Sequence, residues 1–310
     1  MTVVVTGAAG FIGGHLVRLL AARGYDVVGV DRRDAMPSAA QRQIVGELVS
    51  PGGAIDDALA EADAVFHLAG AAGVRDRRIG IEGVRHRDNV LAAARVLRRV
   101  PDATPVVVTS SSSVYGSALA TGRLRAARET DPLRPLSGYA RSKVAMEARC
   151  RRRLDAGGHV AVARPFTVTG PGQRRDMAFA RWLACILSGQ PVEVYGELER
   201  VRDVTSVADV ALGLLRLAEC GTPTTVNLGT GHAYTLAEML AAAVDACGKP
   251  ARVTLRPAGP EESPATLADT RLCREVLGFV PATSLEAILD DQVRFLASPD
   301  MSPELVAGTG

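Results

Sequence analysis

The stretch Tyr139-Ala140-Arg141-Ser142-Lys143 sets a phenol and an ammonium four residues apart, a spacing that puts both on one face of a helix. A phenol with its ordinary pKa of about 10 is a poor base at neutral pH, but a neighbouring cation stabilises the phenolate and lets it take a proton from a hydroxyl. The chain has only two lysines, Lys143 and Lys249, so chance rarely supplies this pair. Upstream, Ser110-Ser111-Ser112-Ser113-Val114-Tyr115-Gly116 follows a valine-rich run. Ser111 then stands at the carboxyl edge of a strand, where doubly wound sheets place their chemistry.

Elements that could hold these residues alternate along the first half of the chain. Short β-branched runs at Thr2–Thr6, Asp26–Val30, Arg42–Val45, Ala64–Leu68, Pro105–Thr109 and His159–Ala163 predict strands. Between them Ile12–Arg23, Asp88–Arg99 and Tyr139–Leu154 have helical length, the signature of a parallel sheet with crossover helices. A seventh run, Thr225–Leu228, returns to the same sheet. Beyond Arg164 the pattern changes to helices over Met177–Ser188, Val207–Cys220, Leu236–Cys247 and Leu285–Leu296, with strands at Val192–Tyr195 and Ala251–Leu255. The expected class is α/β, a doubly wound parallel sheet of Rossmann type with a smaller C-terminal substrate-binding lobe. Residues 1–165 form the dinucleotide domain, with 200–228 returning to it. Residues 166–199 and 229–296 form the lobe, and 297–310 form a frayed tail.

The first strand runs into Thr6-Gly7-Ala8-Ala9-Gly10-Phe11-Ile12-Gly13 and a helix. Glycines at 7, 10 and 13 permit a sharp turn, close approach of backbone to a pyrophosphate, and tight packing of helix on strand. The amides around Phe11 and Ile12 then face the phosphates. Asp31 ends the second strand 18 residues after Gly13. A carboxylate there binds the adenosine ribose hydroxyls and repels a 2′-phosphate, which favours NAD over NADP. Arg32 and Arg33 adjoin it. Glu47 and Leu48 fall where such folds bring a loop against the adenine, and Leu68 and Ala69 end the fourth strand beside the pyrophosphate. His67 reads as a packed strand-end residue.

Together these segments resemble the extended short-chain dehydrogenase/reductase superfamily of nucleotide-sugar epimerases and dehydratases, over about residues 1–296. The resemblance implies a catalytic triad of Ser111, Tyr139 and Lys143. Tyr139 would take the proton of a sugar hydroxyl, Ser111 would hydrogen-bond the oxygen as it becomes a ketone, and Lys143 would also hold the nicotinamide ribose. Dehydratases and uronate decarboxylases of the superfamily usually carry a Glu before Val-Tyr-Gly. This chain has Ser112 and Ser113, which disfavours elimination.

The segment Arg164-Pro165-Phe166-Thr167-Val168-Thr169-Gly170-Pro171, followed by Arg174, Asp176 and Met177, is similar to that of UDP-glucuronate 4-epimerases. So are the loop ending at Arg75, the run Arg202-Asp203-Val204-Thr205, whose arginine usually meets a diphosphate, and the segment around Glu262. Oxidising C4 of a glucuronate makes a β-keto acid that readily loses CO₂. Hydroxyls of Ser112, Ser113 and Thr167, with the cation of Arg174, would hold the carboxylate out of the geometry for that loss. The implied activity is NAD-dependent conversion of UDP-glucuronate to UDP-galacturonate through a 4-keto intermediate. Another nucleotide-sugar 4-epimerase or a 4-ketosugar reductase is the alternative.

Composition bounds the partners. Thirty-six basic residues against 34 acidic ones leave a net charge of +2, which argues for neither a nucleic-acid nor a membrane partner. No apolar run reaches the roughly 20 residues of a membrane span, and the N-terminus reads as a strand with no signal peptide. Cys150, Cys185, Cys220, Cys247 and Cys273 are odd in number, widely spaced and free of CxxC motifs. They read as reduced thiols of a cytoplasmic protein with no metal role. The resemblance further implies a homodimer formed through helices such as Asp88–Arg99 and Tyr139–Leu154, to which Val90, Leu91, Val96 and Leu97 would offer an apolar face.

Overall fold

Valine-rich runs, polar only at their ends, make strands that are buried on both faces, as parallel sheets require. A computed structural model describes residues 1–50, 52–119 and 122–298. Its strands are β1 (Thr2–Thr6), β2 (Asp26–Asp31), β3 (Arg42–Val45), β4 (Ala64–His67), β5 (Val106–Thr109), β6 (Val160–Pro165), β7 (Thr167–Thr169), β8 (Val192–Tyr195), β9 (Val201–Ser206), β10 (Thr225–Leu228), β11 (Ala233–Thr235) and β12 (Val253–Arg256). Seven of them form one parallel sheet in the order β10-β6-β5-β4-β1-β2-β3. In β1 the side chains alternate between the two faces: Val3 and Val5 join a core with Leu16, Leu20 and Leu214, while Val4 joins one with Leu59, Val96 and Met146. The strand order reverses between β1 and β4. Crossovers diverge there, and the crevice beyond their carboxyl ends is where a ligand fits such a sheet.

The remaining strands form a three-stranded sheet, β11-β9-β7, and a β12-β8 pair. They lie with a third core built around Phe179, Trp182, Leu183, Met239, Ile288 and Leu289. The segment 200–228, expected to return to the dinucleotide domain, divides: Thr225–Leu228 joins the large sheet as expected, and β9 does not. The edge beside β6 is taken by β10, so β9 pairs with β7, which leaves the large sheet directly after β6, while helix Val207–Glu219 packs beneath the large sheet. Helix Arg271–Leu277, placed by the sequence within the C-terminal lobe, sends Cys273 and Leu277 into the first core. Helix Leu285–Ala297 is ordered to its end; residues 299–310 of the expected tail lie outside the described residues.

The helix expected over Asp88–Arg99 begins earlier. Ile81–Arg85 is α-helical, His86–Leu91 is a π-helical turn, and Ala92–Arg99 is α-helical again. The wide turn brings three successive residues inward: Asp88, Asn89 and Val90 are all buried. The four residues expected to form an apolar docking face behave differently. Val96 and Leu97 pack under the sheet, Val90 is also buried, and only Leu91, 44% exposed, faces out.

Arg153 shows how one buried side chain ties helix ends together. Its guanidinium donates to the carbonyl oxygens of Val100 (2.9 Å) and Pro101 (2.7 Å), and also to those of Leu97 and His159. The carbonyls of Leu97, Val100 and Pro101 lie in or just after the last turn of Ala92–Arg99, where partners are otherwise lacking. Arg153→Ala should cost about 2–4 kcal/mol of stability and leave kcat of the folded protein unchanged. Thermal melts beside a turnover assay check both.

Candidate active site

At the mouth of β1, Gly7 adopts φ 75°, and a Cβ there would lie 2.7 Å from the Ala69 amide nitrogen. A Cβ on Gly13 would collide with the Gly7 carbonyl. Both positions therefore require glycine for packing and for the turn. Helix Phe11–Ala22 starts at Gly10 with no side-chain cap and no acid in its first turn, so its amides are open to an anion. A cavity of about 330 Å³ opens in front of them. Gly7, Gly10, Asp31, Arg32, Glu47, Leu48, Leu68 and Ala69 all line it.

Three other residues expected to bind the cofactor sit differently. Gly13 packs beneath the turn. Ile12 points into the first core, and the Phe11 ring stacks edge-on against His15 at 5.8 Å. For Phe11 and Ile12 only the backbone can meet a pyrophosphate. A cradle that excludes every Cβ, ahead of free amides and beside an acid at the end of β2, fits a dinucleotide. Asp31 accepts hydrogen bonds from the amides of Ala9 (3.1 Å) and Arg33 (3.0 Å). Among the described residues a larger depression of about 410 Å³ lies between helix Ala178–Ser188 and the β8–β12 pair. It contains none of the expected site residues.

The catalytic candidates converge at the carboxyl end of β5. Ser111 caps the single turn Ser112–Tyr115, its hydroxyl accepting from the Ser113 amide at 3.2 Å, and it also hydrogen-bonds Tyr139. Helix Gly138–Asp155, capped by Ser137, carries Tyr139 and Lys143 on its inner face. Burial pushes the Tyr139 phenol up; the Ser111 hydrogen bond and the charges of Arg174 and Arg85 pull it back. This differs from the expectation that Lys143 does the lowering. The Lys143 Nζ lies 5.9 Å from the Tyr139 ring centroid and donates to the Thr109 carbonyl at 2.9 Å. Burial pushes that ammonium down to about 8, with Glu147 opposing the shift. His67 is a packed residue, joined to Thr6 at 2.8 Å and pushed down to about 3 by burial and by the Lys143 charge.

The substrate candidates fall into two groups. Ser112, Ser113 and Thr167 stand with the Ser111 turn and at the start of β7; the Ser113 hydroxyl is buried and has no hydrogen-bond partner. Arg174 pairs with Asp176 at 2.6 Å, yet its charge is felt at Tyr139.

The second group is cationic. Arg75 meets Glu262 at 2.7 Å, and half-buried Arg202 is held by the carbonyls of Val201 (2.8 Å) and Pro264 (3.3 Å). Burial, with the charges of Arg200 and Arg75, brings the Arg202 guanidinium down to about 10. The sequence reading missed Arg200 and Arg85. Arg200 keeps two buried nitrogens without hydrogen-bond partners. It directly precedes β9, on which Arg202 lies, so only its closeness to Arg202 in sequence was an available signal. Arg85, also buried, anchors the 71–80 loop by donating to the carbonyls of Gly73 (2.7 Å) and Asp76 (2.9 Å). No local pattern announces it.

Known proteins are similar to this chain in sequence and fold. A Bacillus subtilis (strain 168) protein described as the uncharacterized UDP-glucose epimerase YtcB is 30% identical over 320 residues, spanning 96% of this chain and 98% of its own. The solved structure of MoeE5 with UDP-glucuronic acid and NAD superposes with a TM-score of 0.87 at 37% identity, covering 96% of this chain and 99% of that one. MoeE5 has also been solved with UDP-glucose and NAD. The UDP-glucuronic acid 4-epimerase of Bacillus cereus, with UDP-glucuronic acid and NAD, gives a TM-score of 0.87 at 26% identity over 96% of this chain and 99% of its own. Residues 3–229, from β1 to the end of the large sheet, match the NAD dependent epimerase/dehydratase family, and the chain is a member of that family with NAD as its cofactor.

Proposed function

We propose that this enzyme inverts C4 of a UDP-hexuronic acid, interconverting UDP-glucuronate and UDP-galacturonate. The observation that carries the reading is the Ser113 hydroxyl, buried without a partner on the turn that also holds Ser111. A buried hydroxyl is stable there when a bound group accepts its hydrogen bond, and a sugar carboxylate is such an acceptor. Ser112, Thr167 and Arg174 complete the set. Arg75, Arg200 and Arg202 outnumber Glu262 and Glu197, the acids paired with them, and leave excess positive charge, suited to a diphosphate.

Tyr139 takes the C4 hydroxyl proton while Ser111 hydrogen-bonds the oxygen, and the same phenol returns the proton after the sugar turns over. NAD, when bound, supplies the two-electron acceptor and gives the electrons back, so no net redox occurs. The glycine cradle, Asp31, Glu47 and Lys143 would hold it. Holding the carboxylate on hydroxyls keeps the β-keto acid from aligning for loss of CO₂.

The test is incubation of purified protein with UDP-glucuronate and no added reductant, followed by chromatography of the nucleotide sugars. UDP-galacturonate formed without change in absorbance at 340 nm is expected. A requirement for NADH identifies a ketosugar reductase, release of CO₂ a decarboxylase, and turnover of UDP-glucose alone a neutral-sugar epimerase; each overturns the reading. No helix among the described residues is long and apolar enough to cross a membrane. We also propose a cytoplasmic homodimer, joined through the outer faces of His86–Arg99 and Gly138–Asp155, where Leu91 and Leu154 are 44% and 38% exposed. Light scattering that returned the monomer mass would exclude it.

A further inference from the structure

We propose that Asp88 sets the preference for NAD over NADP by withholding Arg32 from the 2′-phosphate. An arginine beside the acid at the end of β2 is the group that accommodates a 2′-phosphate in folds of this kind. Arg32 occupies that place and lines the same cavity as Asp31, Glu47 and Asp88. Its NH2, however, donates to the Asp88 carboxylate at 2.6 Å, and its NH1 lies 3.7 Å from Glu47. The neighbouring Arg33 is engaged too, donating to the Ala9 carbonyl at 2.6 Å.

Carboxylate and phosphate compete for the same guanidinium edge. Asp88 is 5% exposed and also receives Arg87 at 2.7 Å, so it is a buried partner that gives up Arg32 only at the expense of an underpaired charge. The π-helical turn makes this possible. It turns Asp88 toward Arg32 while the next residue, Asn89, still turns inward to bind the Ala71 backbone at 2.8 and 3.1 Å. Discrimination then rests on two acids: Asp31 repels the phosphate, and Asp88 occupies the cation that would attract it. The inference concerns the cofactor and is independent of which sugar is the substrate.

The experiment equilibrates full-length protein with equimolar NAD and NADP, removes free nucleotide by gel filtration, and counts the bound dinucleotides by chromatography. Asp31→Ser should admit a small share of NADP. Asp31→Ser/Asp88→Asn should raise the NADP:NAD ratio at least about tenfold beyond the product of the two single effects, because the two acids act on one phosphate. Adding Arg32→Ala should remove that gain. A double variant that equals the product, or a triple variant that keeps the gain, overturns the proposal. Should Asp88→Asn fail to fold, Asp31→Ser is compared with Asp31→Ser/Arg32→Ala. An equal NADP share supports a withheld Arg32, and a fall beyond about threefold with Arg32 removed shows that it was free to bind.

Discussion

Tyr139→Phe is expected to lower kcat by about a thousandfold while thermal stability and bound NAD stay at wild-type values. The substitution removes one oxygen and keeps the ring. In the proposed mechanism the lost group takes and returns the sugar proton; Ser111, Arg174 and Arg85 offset part of the rise that burial imposes on it. Turnover by chromatography, with dinucleotide counted after denaturation, separates the effect from misfolding. Retention of kcat within about tenfold would remove Tyr139 from the proton-transfer role.

Lys143→Met is expected to cost about a hundredfold or more in kcat and to weaken retention of NAD, without lowering Tm. The stability side follows from linkage. Lys143 has its pKa held near 8 in the folded chain against the ordinary 10.5 of a lysine. Burying the charge therefore destabilises the fold by on the order of 3 kcal/mol below pH 8, a cost that fades as pH rises from 8 toward 10.5. Methionine carries no such charge and resembles the adjacent Met146. An inactive variant as stable as wild type, or more so, would show an ammonium kept for function at the expense of stability. A clear loss of Tm would instead make Lys143 a structural residue. The pH profile adds a check. Burial holds the Tyr139 phenol above its ordinary value. Wild-type activity should therefore fall above about pH 8 as the Lys143 ammonium loses its proton, and Lys143→Met should abolish that fall.

Much of this was legible because it is local. A strand followed at once by Gly7, Gly10 and Gly13 is a statement about backbone space, and the Tyr139–Lys143 spacing is a statement about one helix face. Both hold wherever the elements end up. Strand positions read from valine runs agree with the structure at β1, β3, β8 and β10, and within two residues elsewhere in the large sheet. The short β7, β9 and β11 escaped notice because three to six residues with mixed burial carry little periodicity.

Choice of partner is a different kind of information. With 34 arginines in the chain, no local pattern distinguishes Arg153, spanning two helix ends, from Arg202 in a cationic cluster or Arg32 held by an acid. Each is defined by a residue more than fifty positions away in the chain. Periodicity, turn chemistry and spacing act over a few residues, and they specify what chemistry is present and on which element. Burial and charge pairing act across the closed fold. They determine that Val96 and Leu97 serve the core, that the cations easing the Tyr139 phenol are Arg174 and Arg85, and that Asp88 reaches Arg32 across the cofactor crevice.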